Sequence, residues 1–363
     1  MQPSRTQRNQ NKSNSKLSRS IRMILIAVLS IAIIATAGII LLFSAVAPPE
    51  IPNLANPNIT GDENENENET ALELDMLESG LVAPARFTSE DRKDQFFTFL
   101  IVGLNEGTNA NTIMVASYDA INKEAHLVSI PRDSLINTTR AGRKLSSSFM
   151  AGAGGGRGVA GGVAQMQRDV MSVIGFVPDF YFIIDYDAFF AIVDAVGGVE
   201  VYVPFHMRYT DPFQDLDINI LPGLQQMDGE TALKFARFRR SNTGFRAITD
   251  YQRIENQQTV VNAVLEKLIR PASILRIPEF VNIFNESVYT NLSVGNMLWF
   301  ANQINNIRGT DALSSHTVPM AGTSGYPMYY ELLHASGIVR LVNETINPFT
   351  QEIERGDLNI THH

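Results

Sequence analysis

Apolar and polar residues divide the chain into regimes before any single residue matters. Residues 23–47 read MILIAVLSIAIIATAGIILLFSAVA, without one charge. At helical rise that run is long enough to cross the hydrocarbon core of a bilayer. It exceeds the apolar segment of an ordinary cleaved signal peptide. Ala45-Val46-Ala47 resembles a cleavage site, but Pro48 and Pro49 follow at once and disfavour cleavage. The pattern then inverts. Residues 48–93 carry Pro48, Pro49, Pro52, Pro57 and the tract GDENENENET, which has no apolar group to bury. Such a segment cannot offset its ordering entropy, and a disordered linker is predicted.

Apolar residues return from residue 94. FFTFLIVGL, Phe96 to Leu104, is a continuous run of strand length, the pattern of a strand buried on both faces. Strands are predicted over 112–118 and 124–130, joined by a turn at 119–123. The stretch 133–162 reads as loop, including the glycine-rich AGAGGGRGVAGG at 151–162. A helix over 163–174, a strand at 180–184, a helix with Asp187 as N-cap and a strand at 199–203 follow. The segment before Arg237 has helical character, and 250–269 predicts a long helix closed by Pro271. Helices over 280–285 and 297–307, a short strand at 317–320 and a final helix over 331–346 complete the domain. Residues 348–363 read as a frayed polar tail. Alternating strands and helices imply an α/β sheet with helices on its faces.

Charge fixes the orientation. Residues 1–22 hold Arg5, Arg8, Lys12, Lys16, Arg19 and Arg22 and no acid, which assigns them to the cytoplasm. The expected organisation is therefore a cytoplasmic basic tail (1–22), one transmembrane helix (23–47), an acidic linker (48–93), an extracytoplasmic domain (94–347) and the tail (348–363). Localisation follows: plasma membrane, single pass, N-terminus inside. Residues 48–91 hold eleven acids against Arg86 alone, so most of the negative charge beyond residue 22 resides in the linker, and nothing resembles a nucleic-acid footprint. The chain has no cysteine, which excludes disulfides, thiolate metal ligands and a cysteine nucleophile.

Candidate chemistry concentrates between Asp217 and Gln258. Arg237 and Arg239 flank Phe238, and Arg253 follows with Asp250 three residues before it and Gln257 four after. Guanidinium groups match phosphate oxygens bidentately, so arginines gathered by a fold can hold a pyrophosphate. Each of them alone reads equally as a surface arginine solvating a helix end. Pro131 ends the strand in SIPRD and puts Arg132 at its carboxyl end, where ligands collect in α/β sheets. The glycine tract lacks the Gly-Lys-Ser/Thr ending of a P-loop and reads as exposed flexible loop.

These segments, in this order and after one membrane helix, resemble the LytR-CpsA-Psr family, also called the cell envelope-related transcriptional attenuator domain. The likeness covers about residues 97–267. It rests on FLIVGL, TIMVASY, LVSIPRDS, DFYFIIDYDAFFAIVDAVGGVEVYVP, DINILPGLQQMDGETALKFARFR and the D-x-x-R-x-x-x-Q spacing of Asp250, Arg253 and Gln257. The resemblance implies an α-β-α sandwich with a central mixed sheet holding a polyprenyl chain in an apolar tunnel. It further implies transfer of a glycopolymer from a polyprenyl-pyrophosphate carrier to the bacterial cell wall as a phosphodiester. The implied partners are the glycopolymer-linked carrier, a cell-wall acceptor and the membrane. Arg132, Arg237, Arg239 and Arg253 match the pyrophosphate-gripping arginines, Gln257 a supporting polar residue, Asp250 the acid beside them, and Lys144 a nearby basic position.

The chain departs from the family at two carboxylates that hold magnesium. Asn105 follows Leu104 where an aspartate is usual, and Asn111 stands in Asn109-Ala110-Asn111-Thr112 where Arg-Ser-Asp-Thr is usual. Asn256 replaces a further arginine. Neutral amides bind magnesium weakly, which undercuts the expectation of a Mg2+ cofactor; Glu106 could supply one carboxylate. An active phosphotransferase and a non-catalytic polyprenyl-phosphate binder both fit. A transcriptional regulator fits poorly, since 22 residues are too few for a cytoplasmic DNA-binding fold.

Overall fold

A computed structural model describes residues 47–51, 87–105, 109–213, 216–244, 246–268, 276–304, 313–324 and 328–360. Chain contacts separate Met1–Pro48 from Pro49–His363. The expected membrane helix, apart from Ala47, and most of the expected linker lie outside the described residues, as does Glu106. No helix among the described residues is long and apolar enough to cross a membrane.

The order begins with β1 (Phe96–Leu104), β2 (Ala110–Asp119) and β3 (Glu124–Ser129), then α1 (Ser148–Ala153) and α2 (Gly158–Ile174). Next come β4 (Phe180–Ile184), α3 (Tyr186–Ala195), β5 (Val199–Val203), β6 (Met207–Asp211), β7 (Leu216–Ile220) and β8 (Gly223–Met227). Then follow α4 (Gly229–Arg237), α5 (Asp250–Leu268), α6 (Ile277–Ser287), β9 (Tyr289–Thr290), α7 (Val294–Ile304), β10 (Leu313–Thr317), β11 (Met320–Ser324), β12 (Tyr330–Leu333) and α8 (Ala335–Thr345). The central sheet has the order β10-β3-β2-β1-β4-β9. It is mixed: β1 runs antiparallel to β2 but parallel to β4, and β10 runs parallel to β3.

The run FFTFLIVGL forms β1 because each of its faces has apolar material to meet. Leu100, Val102 and Leu104 join one core cluster with Met166, Val170 and Val173 of α2 and with Ile338 and Val342 of α8. The opposite face carries Phe97 and Phe99, whose rings lie 5.0 and 5.1 Å from Phe300 of α7. Phe182 of β4 meets Phe284 of α6 on that same side, at 5.6 Å. Helices thus cover both sheet faces. A second core forms where the β5–β8 ribbon and the β6–β7 hairpin pack on α4 and α5 around Phe235 and Phe238.

Several expected elements differ. The glycine tract is not loop: α1 and α2 run through it. Their backbones approach so closely that a Cβ on Gly152 would sit 2.1 Å from the Gly161 carbonyl oxygen, and one on Gly162 would press 2.8 Å from the Phe149 ring. The glycines let the two helices touch. The N-cap of α3 is Asp185, accepting from the Ala188 amide at 2.9 Å, and Asp187 lies within the first turn. Residues 331–346 split into β12 and α8, whose cap His334 accepts from the Gly337 amide through Nδ1 at 3.0 Å. The single strand expected at 317–320 is replaced by β10 and β11, which lie on either side of Val318 and Pro319.

Both expected domain edges carry core contacts. Phe349, Ile353, Leu358 and Ile360 belong to the main cluster, so the segment read as a polar tail contributes buried side chains. Phe87 stacks on Phe349 at 4.4 Å, and Arg92 forms a buried ion pair with Asp179 at 2.9 Å. Asp179 also accepts from the Thr98 amide and hydroxyl at 2.8 Å each, which ties the segment before β1 to the sheet.

Candidate functional site

The site lies beyond the carboxyl ends of β1, β3 and β4, where loops diverge and ligands commonly bind in α/β sheets. Helix α4 is positioned first. Asp228 caps it by accepting from the Thr231 amide at 2.8 Å, and the Gly229 amide donates to Asp194 of α3 at 2.8 Å. A Cβ on Gly229 would meet the Phe190 backbone at 2.5 Å, so a glycine seats the two helices together. At the other end of α4, Phe238 is fully buried in extended geometry (φ −56°, ψ 133°). Anchoring Phe238 sends Arg237 and Arg239 out on either side of it. Arg237 lies 5.0 Å over the Tyr186 ring, a cation–π arrangement that holds the guanidinium in place.

Helix α5 supplies the next residues. Its Gln258 is buried, donating through Nε2 to Ser129 Oγ at 2.9 Å and to the His316 carbonyl at 2.7 Å, which pins α5 against β3 and β10. Arg253 and Gln257 then fall in the cavity wall. Arg253 is only 5% exposed, and Asp250 pairs with it at 2.5 Å and with Arg239 at 4.0 Å. Burial lowers the Arg253 pKa to about 10; the Arg132 and Arg239 guanidiniums push the same way, and Asp250 opposes them. Arg253 stays cationic at neutral pH, held near two like charges.

Arg132 comes from the turn after β3. The Ser134 amide donates to the Pro131 carbonyl at 3.0 Å, and the Arg132 carbonyl accepts from the Ser146 amide at 2.8 Å. Its Nη1 donates to Asn111 Oδ1. The Nε groups of Arg132 and Arg253 are buried without a hydrogen-bond acceptor among the described residues.

A cavity of about 980 Å3 collects these groups. Asn105, Asn111, Arg132, Arg237, Arg239, Arg253 and Gln257 all line it, so residues scattered over more than 150 positions of sequence meet at one place. Asp250 supports the wall through its ion pairs. Lys144 is not among the lining residues; its Nζ pairs with Asp133 at 3.0 Å and lies 5.8 Å over the Tyr329 ring. The sequence reading missed Arg240, Tyr186, Tyr209, Asp211 and Phe213, which also line the cavity. Arg240 was visible as the last residue of the Arg-Phe-Arg-Arg row. Asp211 and Phe213 had no local signal, because the β6–β7 hairpin that carries Asp211 was not predicted.

Among the described residues the donor set does not suit a magnesium ion. Asn105 Oδ1 accepts from the Asn109 amide at 3.0 Å, and Asn111 Oδ1 faces a guanidinium. Asp211 accepts from the Phe213 amide at 3.0 Å and from the Tyr209 hydroxyl at 3.2 Å. No cluster of three or more His, Cys, Asp or Glu placed to hold a metal occurs among the described residues. Arranged this way, the cavity can bind a polyanion with bidentate guanidinium donors.

The LytR_cpsA_psr family model matches residues 58–344. The chain is 25% identical over 231 residues to the polyisoprenyl-teichoic acid–peptidoglycan teichoic acid transferase TagV of Bacillus subtilis (strain 168), covering 61% of this chain and 56% of TagV. It is 23% identical over 242 residues to the regulatory protein MsrR of Staphylococcus aureus (strain COL), covering 65% and 68%. The chain thus spans little more than half of TagV. In fold it is similar to the crystal structure of B. subtilis TagV (TM-score 0.56, 22% identity, 69% of this chain and 95% of that one). It is similar also to TagT bound to LIIa-WTA (TM-score 0.57, 20% identity, 75% and 98%); TagT has also been solved as the B. subtilis protein.

Proposed function

The chain belongs to the LytR_cpsA_psr family, and we propose that it is a membrane-anchored extracytoplasmic phosphotransferase moving a glycopolymer from a polyprenyl-pyrophosphate carrier to a cell-wall or envelope acceptor. One observation carries the reading: Arg132, Arg237, Arg239, Arg240 and Arg253 line a single cavity, with Arg253 buried beside like charges. Such a cluster is costly while empty, and a pyrophosphate would relieve it. The name of TagV, a teichoic acid transferase, supports the same reaction class.

In the proposed reaction an acceptor hydroxyl oxygen attacks the phosphorus that bears the sugar. The bridging P–O bond to the lipid phosphate breaks, and polyprenyl monophosphate leaves. The glycopolymer remains on the acceptor through a phosphodiester. The arginines neutralise charge on the phosphoryl group and on the departing phosphate. Asp250 orients Arg253 and Arg239, and Asp211, a carboxylate in the cavity wall, takes the hydroxyl proton. In this reading residues 1–22 are cytoplasmic, 23–47 cross the membrane, and the linker spaces the domain away from the bilayer.

The second reading is a polyprenyl-phosphate binder without catalysis, favoured by the amides Asn105 and Asn111. Full-length protein incubated with a polyprenyl-pyrophosphate oligosaccharide and peptidoglycan separates the two. Transfer with release of polyprenyl monophosphate, lost in Arg253→Gln, supports the transferase. Lipid bound without release supports the binder.

A further inference from the structure

Resting on the anion-site reading, we propose that the Arg132–Asn111 pair takes over the position of a divalent cation, so that the cavity binds its phosphate ligand without metal. The argument is one of occupied donors and acceptors. A cation needs an unengaged anionic oxygen. Here the Asn111 side-chain oxygen receives Arg132 Nη1, and the Asn105 oxygen receives the Asn109 amide. An aspartate at 111 would pair with Arg132 as a salt bridge and neutralise it. The amide instead accepts the guanidinium's hydrogen bond and leaves its positive charge available. Arg132 Nε, buried and without an acceptor among the described residues, is a donor that a phosphate oxygen can satisfy. The neutral amides and the arginine thus work as a unit: a fixed cation, held in the wall, does what a bound ion would do for ligand charge. Asn109, whose amide closes the Asn105 contact, holds the approach to β2 in shape for this arrangement.

The test uses the purified full-length protein in mild detergent, with inorganic pyrophosphate as the probe in isothermal titration. In EDTA the wild type is expected to bind pyrophosphate. Asn111→Asp should weaken that binding about tenfold, equivalent to about 1.4 kcal/mol, because the new carboxylate neutralises Arg132. Electron paramagnetic resonance of added Mn2+, without pyrophosphate, gives a second readout. The wild type should leave the free-ion signal intact, whereas Asn105→Asp with Asn111→Asp should deplete it. Wild-type binding that appears only after a divalent cation is added would overturn the proposal, as would Mn2+ capture by the wild type, which would point to Glu106. Absence of pyrophosphate binding under either condition overturns the anion site itself and this inference with it. If the double variant fails to fold, the wild-type titrations alone decide.

Discussion

Asp250 and Arg253 stand one turn apart on α5 and face each other at 2.5 Å, with side chains 15% and 6% exposed. Arg253 lines the cavity while Asp250 stands behind it, and Asp250 is the counter-charge that makes a buried Arg253 tolerable beside Arg132 and Arg239. Asp250→Asn should therefore leave an uncompensated cation. The ligand-free protein is expected to lose on the order of 3 kcal/mol in urea denaturation. Added pyrophosphate should restore more stability to the variant than to the wild type. Equal stabilisation of both would mean that Asp250 does not balance the site.

The contact between α1 and α2 gives a second prediction. Gly152→Ala places a methyl group against the Gly161 carbonyl and Gln165 Cβ, at 2.1 and 2.5 Å before relaxation. Neither partner is the free end of a flexible side chain, so the helices must separate. Overpacking of this kind costs about 1–3 kcal/mol, and a backbone partner puts the expectation at the upper end. Gly356→Ala, where a Cβ meets nothing within 4 Å, should lie near the wild type in the same denaturation series. A neutral Gly152→Ala would show that this tract is not packed as described.

How much of this was legible in the sequence depended on the range of the interactions involved. The span of β1 could be read directly, because burial on both faces writes itself into a continuous apolar run. From their spacing alone the arginines could be read only as candidates; that they meet was implied by the family resemblance. Arg132 and Arg253 are joined only by the register of β3 and the seating of α5 through Gln258. The glycine tract misled for the same reason: flexibility is a local property of glycine, whereas close helix approach depends on a partner helix. Phe349 and Ile353 looked like part of a polar tail because their neighbours are polar, and only the three-dimensional core gives them a place to go. Lys144 lay near a basic position in sequence, yet Asp133 holds it in an ion pair.

Glu331 supplies a pH dependence. It is 4% exposed and accepts a hydrogen bond from the Tyr329 hydroxyl. Burial raises its pKa above the ordinary 4.5; the Tyr329 hydrogen bond opposes this, and Asp250 and Asp133 add to it. A raised folded pKa means that the folded protein holds this proton more tightly than the unfolded chain. Its stabilising contribution is full below 4.5 and disappears as pH rises through the folded value. Wild-type stability should accordingly decline relative to Glu331→Gln as the pH rises above 4.5. Parallel pH profiles for the two proteins would contradict this account of Glu331.

The central claim is that the arginine-lined cavity holds the head group of a polyprenyl phosphate. It is tested most directly by mass spectrometry of lipid co-purifying with full-length protein in mild detergent. The comparison is wild type against the double variant Arg237→Ala with Arg239→Ala. Because Phe238, the buried anchor between them, is untouched, the fold should survive, which circular dichroism checks. Each arginine removed takes away a charge-assisted contact of about 1.5–3 kcal/mol. The predicted result is a polyprenyl phosphate retained by the wild type and depleted more than about tenfold in the variant. Equal retention by the two proteins would contradict the claim and place the head group elsewhere.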